Sequence, residues 1–87
     1  MTALQLITRT AANNGWSVAK TRSSGDGHHF IVQYVRDGEL VDIQYTPSDS
    51  VHSSLYIPRR GLIEFVGPGA TGRRAAAIRW LKRGTLQ

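Results

Sequence analysis

Three histidines are the side chains of this sequence best suited to proton-transfer chemistry. His28 and His29 are adjacent, between Gly27 and Phe30, whereas His52 stands alone. Imidazole titrates near neutral pH, so His28 and His29 are candidates for a catalytic acid or base, the alternative being surface loop histidines. Adjacent strand residues point to opposite faces, so His28 and His29 are poorly placed to bind one metal ion together. No carboxylate or second histidine stands at ligand spacing from His52. We therefore expect no metal site and no cofactor.

The segment Gly67–Gly72 has the glycine spacing of a dinucleotide-binding loop, G-x-G-x-x-G, and lies before a predicted helix. Only 15 residues follow it, so we do not expect the parallel strand and acidic ribose ligand of such a site. The backbone N–H groups of Gly69, Thr71 and Gly72 would still suit an anion such as phosphate at the helix start. The alternative is a flexible connection that is rich in glycine.

Basic residues are concentrated in the C-terminal half of the chain. Met1–Ser50 carries four basic and five acidic residues, whereas Val51–Gln87 carries seven basic residues and one acidic residue. This asymmetry indicates an anionic partner, and a nucleic acid would be held through its phosphates with little sequence reading. The candidate nucleic-acid-binding residues are Arg59, Arg60, Arg73, Arg74, Arg79, Lys82 and Arg83. The alternative is an ordinary solvated basic surface.

Composition excludes several other classes of protein. The 87 residues suffice for one domain, and the absence of cysteine excludes disulfides, thiolate catalysis and cysteine-ligated zinc. The apolar runs are far too short for a membrane span, and Met1–Arg9 lacks the features of a signal peptide. We therefore expect a cytoplasmic protein that makes no membrane contact.

Local signals predict a helix at the start of the chain. Thr2 is a suitable N-cap, and Leu4, Ile7 and Ala11 have the spacing of an inward helical face. Gly15 supplies the left-handed conformation that commonly closes a helix. A first strand is expected directly after this glycine.

The dipeptide Asp37-Gly38 predicts a hairpin with a type I′ turn, which fixes the pairing of its two strands. This register places six apolar or aromatic residues on one face: Phe30, Val32, Tyr34, Val41, Ile43 and Tyr45. The other face is mixed, and a slip of one residue would bury Gln33 and Asp42. We therefore expect helices on the apolar face and a strict register.

Further strands are predicted in the second half of the chain. Ser53–Pro58 reads as a strand with Leu55 and Ile57 inward, and Leu62–Val66 is a short apolar segment. The predicted fold is a single α+β domain over residues 1–87. In it, an antiparallel sheet of three to five strands lies between two helices, both on one face of the sheet.

The final helix is predicted to begin at a Thr71 cap and to end at Gly84. Helical spacing places Arg74 within its apolar arc. Arg74 is therefore either a phosphate-binding residue or half of a structural ion pair with Glu64 or Asp42.

Two N-terminal segments resemble the start of HicA-type toxins. Asn14-Gly15-Trp16 is similar to the step that ends their first helix, and Arg22–Phe30 is similar to the element that opens their second strand. The resemblance implies the double-stranded-RNA-binding fold and ribonuclease activity, with His28 or His29 as the catalytic histidine.

A broader resemblance is to small accessory proteins of actinobacterial phages. It is carried by the tryptophan-led first strand, by the strand–turn–strand that ends in Tyr45–Asp49, and by the arginine-rich helix that contains Trp80-Leu81. Most such proteins have no assigned activity. The resemblance implies a protein that works in the cytoplasm of an infected bacterium.

Three functions follow from these observations. The first is a non-enzymatic module that binds DNA or RNA through the basic residues of its C-terminal half. The second is a protein–protein module that binds an acidic host protein or forms a homodimer, using the mixed sheet face around Ile31, Val35 and Leu40. The third is a HicA-like ribonuclease.

Overall fold

The computed structural model describes residues 2–25 and 27–83 and confirms the predicted α+β fold. Its elements are α1 (Ala3–Asn13), β1 (Ser17–Ser23), β2 (Phe30–Arg36), β3 (Glu39–Tyr45), β4 (Val51–Ile57), β5 (Glu64–Val66) and α2 (Arg73–Lys82). The five strands form one antiparallel sheet in chain order, so every strand pairs with its sequence neighbour. Within the described residues, no helix has the length and apolar content needed to cross a membrane.

The start of α1 is fixed by three side chains. Thr2 and Gln5 form a capping box, in which each side chain accepts a hydrogen bond from the backbone N–H of the other residue. The carboxylate of Asp49 accepts the N–H of Ala3 at 2.9 and 3.0 Å, from a turn 46 residues away. The predicted Thr2 cap is thus confirmed, and Asp49 ties the helix to the sheet.

The hairpin between β2 and β3 has the predicted turn and register. Asp37 and Gly38 both have positive φ angles, of 46° and 81°, as a type I′ turn requires. The pairs across the hairpin run from Arg36 with Glu39 back to Phe30 with Tyr45. One face of the hairpin is therefore apolar from the Phe30–Tyr45 pair to the Tyr34–Val41 pair, and the Arg36–Glu39 pair lies on the same face beside the turn.

Both helices pack on this apolar face and enclose the core. The core consists of Ile7, Ala11, Trp16, Val32, Tyr34, Val41, Ile43, Tyr45, Val51, Tyr56, Ala76, Ala77, Trp80 and Leu81. The indole N–H of Trp16 donates to the carbonyl of Leu81 at 2.8 Å, which joins the end of α1 to the last turn of α2. The hydroxyl of Tyr34 lies 3.0 Å from that of Tyr45, and burial raises the pKa of both phenols.

The prediction that Leu55 and Ile57 point inward is wrong. Ser54 and Tyr56 take the inward positions of β4, so Leu55 and Ile57 face away from the helices. The reason is that the ring of Tyr56 stacks on that of Trp80, with centroids 5.8 Å apart. This aromatic contact fixes the face of β4, whereas hydrophobicity alone favours its aliphatic residues.

The C-terminal helix differs from its prediction in two respects. Its N-cap is Gly72, with φ of 69° and no side-chain capping bond, so Thr71 is not the cap. Arg74 is exposed and outside the apolar arc, because Ala76, Ala77, Trp80 and Leu81 are the residues that α2 buries. The helix ends at Lys82, and the predicted end at Gly84 lies outside the described residues.

Candidate nucleic-acid interface

Helix α2 runs from one end of the sheet to the other and carries four of the seven candidate basic residues, and a fifth, Arg83, follows directly after it. At its start, Nη1 of Arg73 donates to the carbonyl of His52 at 3.2 Å, close to the beginning of β4. Past its end, the carbonyl of Arg83 accepts from Nη2 of Arg36 at 2.6 Å, beside the hairpin turn. Its ten residues span ~15 Å.

The exposed side of α2 is basic. Arg74, Arg79 and Lys82 are exposed there, and we call these three residues the basic ridge. The helix contains no acidic residue. The ridge therefore presents three cations along one helix.

A second pair of candidates lies at the hairpin end of the sheet. Nε of Arg59 donates to the carbonyl of Asp37 at 2.8 Å, which ties the turn after β4 to the hairpin turn. Arg60 follows it and is exposed. This pair lies at the opposite end of the sheet from Arg73 and the start of α2, so the predicted residues form two clusters joined by the ridge.

Arg83 is engaged within the protein. Its Nη1 lies 2.6 Å from Oε2 of Glu64, and its guanidinium sits 5.2 Å from the ring centroid of Tyr56. The hydrogen bond from Arg83 lowers the pKa of Glu64, and the indole N–H of Trp80 adds to this effect at 3.2 Å. The predicted ion pair of Arg74 is therefore not formed, because Glu64 pairs with Arg83 and Asp42 lies beside Arg22.

Two other acidic residues, Glu39 and Asp49, are engaged as well. Glu39 accepts from Arg36 at 2.9 Å and from the hydroxyl of Tyr56 at 2.7 Å. Asp49 accepts the N–H at the start of α1, as described above. These contacts neutralise acidic charge inside the fold. The ridge has no carboxylate on its own helix, and the nearby Glu64, whose pKa is lowered first by its hydrogen bond from Arg83, also feels the charge of Arg79.

The glycine-rich loop leads directly into α2. Gly69 and Gly72 have positive φ angles of 85° and 69°, and Thr71 is exposed beside them. The loop and the arginines at the start of α2 border one open depression. Anion binding by Gly69, Thr71 and Gly72 remains a prediction.

Two histidines meet at the end of the sheet opposite the hairpin turn. The rings of His29 and His52 have centroids 4.4 Å apart and are tilted by 39°. His28 is exposed. The described residues contain no group of three or more His, Cys, Asp or Glu side chains able to hold a metal ion. Catalysis by His28 or His29 remains a prediction. The sequence does not predict the contact of His29 with His52, because it depends on the position of β2 and β4 on either side of β3.

Arg36 is a central residue that sequence reasoning missed. Its guanidinium binds Glu39, donates to the carbonyl of Asn14 at 2.9 Å, and lies 4.6 Å from the ring centroid of Trp16. With its bond to the Arg83 carbonyl, it joins α1, the hairpin and the end of α2. This cation stabilises the fold and does not belong to the ridge.

The sheet face opposite the helices is open. It carries the half-buried residues Ile31, Val35 and Leu40, which the predicted register places on the mixed face of the hairpin. On the same face, Nη2 of Arg22 lies 4.0 Å from Oδ2 of Asp42. The described structure therefore offers two surfaces for a partner: the basic ridge and this open face.

Comparisons of the chain with protein-family models, with curated proteins and with solved structures found no match. The fold defines the chain as a small antiparallel α+β domain with two helices on one face of its sheet. Its function has to be inferred from its own charges and contacts.

Proposed function

We propose that this protein binds nucleic acid through the phosphates, using the basic ridge of α2. The observation that carries the proposal is the ridge itself: three exposed cations on a helix that contains no acidic residue. Arg59 and Arg60 extend the basic surface at the hairpin end of the sheet. The resemblance to phage accessory proteins implies that this binding occurs in a bacterial cytoplasm, which stays a prediction.

The chemistry of the ridge favours phosphates over base edges. Arginine and lysine side chains that neutralise phosphates release counterions, and this contribution does not depend on sequence. Arg74 and Arg79 are separated by ~7.5 Å along the helix axis, so they reach different phosphates of one strand. We therefore infer weak sequence preference at the ridge and strong dependence on salt.

The test is the triple variant Arg74→Gln, Arg79→Gln, Lys82→Gln, titrated against fluorescently labelled duplex and single-stranded nucleic acid. We expect weaker binding to all sequences alike. We also expect the slope of log K against log salt concentration to shrink by about 0.9 for each lost phosphate contact on duplex DNA.

A matched pair of single variants controls for the loss of net charge. Arg79→Gln and Arg9→Gln each remove one exposed arginine from a helix, but Arg9 lies on α1 and faces a groove along β1. The proposal requires Arg79→Gln to weaken binding more than Arg9→Gln. Equal affinities for both single variants and for the triple variant would contradict it.

A further inference from the structure

The open face of the sheet carries a hollow that is separate from the basic ridge. We propose that this hollow binds an unpaired guanine base of a single-stranded nucleic acid. The base would lie between the ring of Phe65 and the guanidinium of Arg22, and the carboxylate of Asp42 would read its edge. The inference rests on the proposed function, because the ridge would hold phosphates of the same strand.

The size of the hollow suits one planar group. It measures about 190 Å³ and lies over the middle strands of the sheet, with Arg22 from β1 on one side and Phe65 from β5 on the other. Sites for drug-sized ligands measure roughly 300–1,000 Å³, so a whole cofactor would not fit. A single base is of the appropriate size class.

Phe65 offers an exposed stacking surface in a defined position. The residue is 64% exposed, although it is large and apolar. A Cβ atom at Gly67 would come within 2.9 Å of Cε2 of Phe65, so the absence of a side chain at Gly67 is what lets the ring lie there. Exposed aromatic rings are the common platform for unpaired bases, and the plane of an arginine guanidinium also stacks on bases.

Asp42 lacks the partners that a half-buried carboxylate needs. Its Oδ1 is buried with no hydrogen-bond partner among the described residues, and its nearest cation, Arg22, is 4.0 Å away, beyond hydrogen-bond distance. Burial raises the pKa of this carboxyl group. The torsion about the Cβ–Cγ bond of an aspartate is broad, and a quarter turn would bring both oxygens to the hollow, where donors of a ligand would satisfy them.

The donor pattern selects guanine among the bases. A carboxylate accepts hydrogen bonds and does not donate them. Guanine presents two parallel donors, N1–H and the N2 amino group, whereas the other bases place an acceptor beside each donor on that edge. Oε1 of Gln44 accepts a hydrogen bond from the hydroxyl of Ser53 at 3.3 Å. Nε2 of the same amide would donate a hydrogen bond to O6 of guanine.

The charge of this face favours a nucleic acid over an arginine-bearing protein, which would offer similar paired N–H donors. Lys20 and Arg22 lie on the open face along β1, and the whole chain carries a net charge of +5. The loop Gly67–Gly72 leads from β5 to the start of α2. A strand that passes around the β5 edge would therefore place its base in the hollow and its phosphates on the ridge.

The experiment uses three labelled strands of about ten nucleotides, within the site size of small single-strand binders. One is all thymidine, one has a central guanine, and one has a central inosine, which lacks the N2 amino group. We expect the guanine strand to bind at least about fivefold more tightly than the thymidine strand, with inosine losing most of this gain. Asp42→Asn should abolish the preference for the guanine strand over the thymidine strand. Any general gain in affinity from the loss of one negative charge is measured by Asp37→Asn.

Asp37→Asn is the matched control, because it removes the same charge at the exposed hairpin turn, and it should keep the guanine preference. Should Asp42→Asn fail to fold, the guanine and inosine strands test the same contact on the unaltered protein. Equal, salt-dependent affinity for the three strands overturns the inference and leaves the proposed function standing. Failure to bind any strand at low salt overturns both. Capture of an arginine-rich peptide that depends on Asp42, without a guanine preference, overturns the inference in favour of a protein partner.

Discussion

The pKa values of two carboxyl groups in this protein, Glu64 and Asp42, are shifted in opposite directions, and their contacts explain the difference. The hydrogen bond from Arg83 lowers the pKa of Glu64, so the ionised form stabilises the fold and this contribution is lost as the pH falls through the lowered pKa. Burial raises the pKa of Asp42, and the attraction of Arg22 offsets this only in part. The ionised form of Asp42 therefore opposes folding at neutral pH.

A stability measurement on Asp42→Asn tests this account of the carboxylate. The substitution removes a charge that burial penalises, so we expect a higher free energy of unfolding at pH 7. Because the carboxylate is partly exposed, the gain should be no more than about 1 kcal/mol.

The sign of the pH dependence is specific. The folded-state pKa of Asp42 lies above its ordinary value of 3.8, so protonation favours the folded state. The difference between Asp42→Asn and the wild type should shrink as the pH falls through the raised pKa and vanish below 3.8. Urea denaturation at several pH values measures this difference in the free energy of unfolding. A variant less stable than the wild type at pH 7 would show that the ionised Asp42 has a stabilising partner.

At the residue scale, the sequence predicts contacts within one element, but it does not predict contacts between segments that are distant in the chain. Thr2 was identified as the cap of α1 because a capping residue acts on its own first turn. Arg36 was not identified, because its partners are the carbonyls of Asn14 and Arg83 and the carboxylate of Glu39. Two of those three groups come from segments that only the fold brings to the hairpin.

At the scale of elements, the hairpin and β4 show what sequence can decide. The register of β2 and β3 follows from the turn residues Asp37 and Gly38 alone, so it was predicted correctly. The face of β4 depends on the stacking of Tyr56 on Trp80, which belongs to another element. Alternation of hydrophobic residues therefore gave the wrong face for Leu55.

The hairpin turn also yields a prediction about stability. Gly38 has φ of 81°, so Gly38→Ala places a Cβ in the left-handed region and should lower the free energy of unfolding by about 1–2 kcal/mol. Gly25→Ala is the control, because a Cβ there has no heavy atom within 4 Å and φ is not in that region. Thermal unfolding of both variants measures the difference. A loss for Gly25→Ala as large as that for Gly38→Ala would argue against strain at the turn.

At the scale of the whole molecule, the concentration of positive charge was predicted by counting, but its arrangement was not. Seven of the basic residues belong to Val51–Gln87, and this was plain from the sequence. Their division between the two ends of the sheet depends on the direction of α2 across the strands. The engagement of Arg83 by Glu64 depends on the pairing of β5 with β4.

The arrangement gives the molecule two different sides. The helical side carries the basic ridge, and the opposite side is an open sheet face with an exposed Phe65. The ridge would supply affinity that does not depend on sequence, and the open face would supply preference for a base. The edge of the sheet at β5 joins the two sides.

The most direct test of the central claim is a salt titration of the unaltered protein against duplex and single-stranded nucleic acid, followed by fluorescence anisotropy. The ridge with Arg59 and Arg60 supplies five exposed cations. We expect log K to fall linearly with log salt concentration, with a slope of about −3 to −5. Absence of binding at low salt, or an affinity that does not change with salt, would contradict phosphate recognition by this protein.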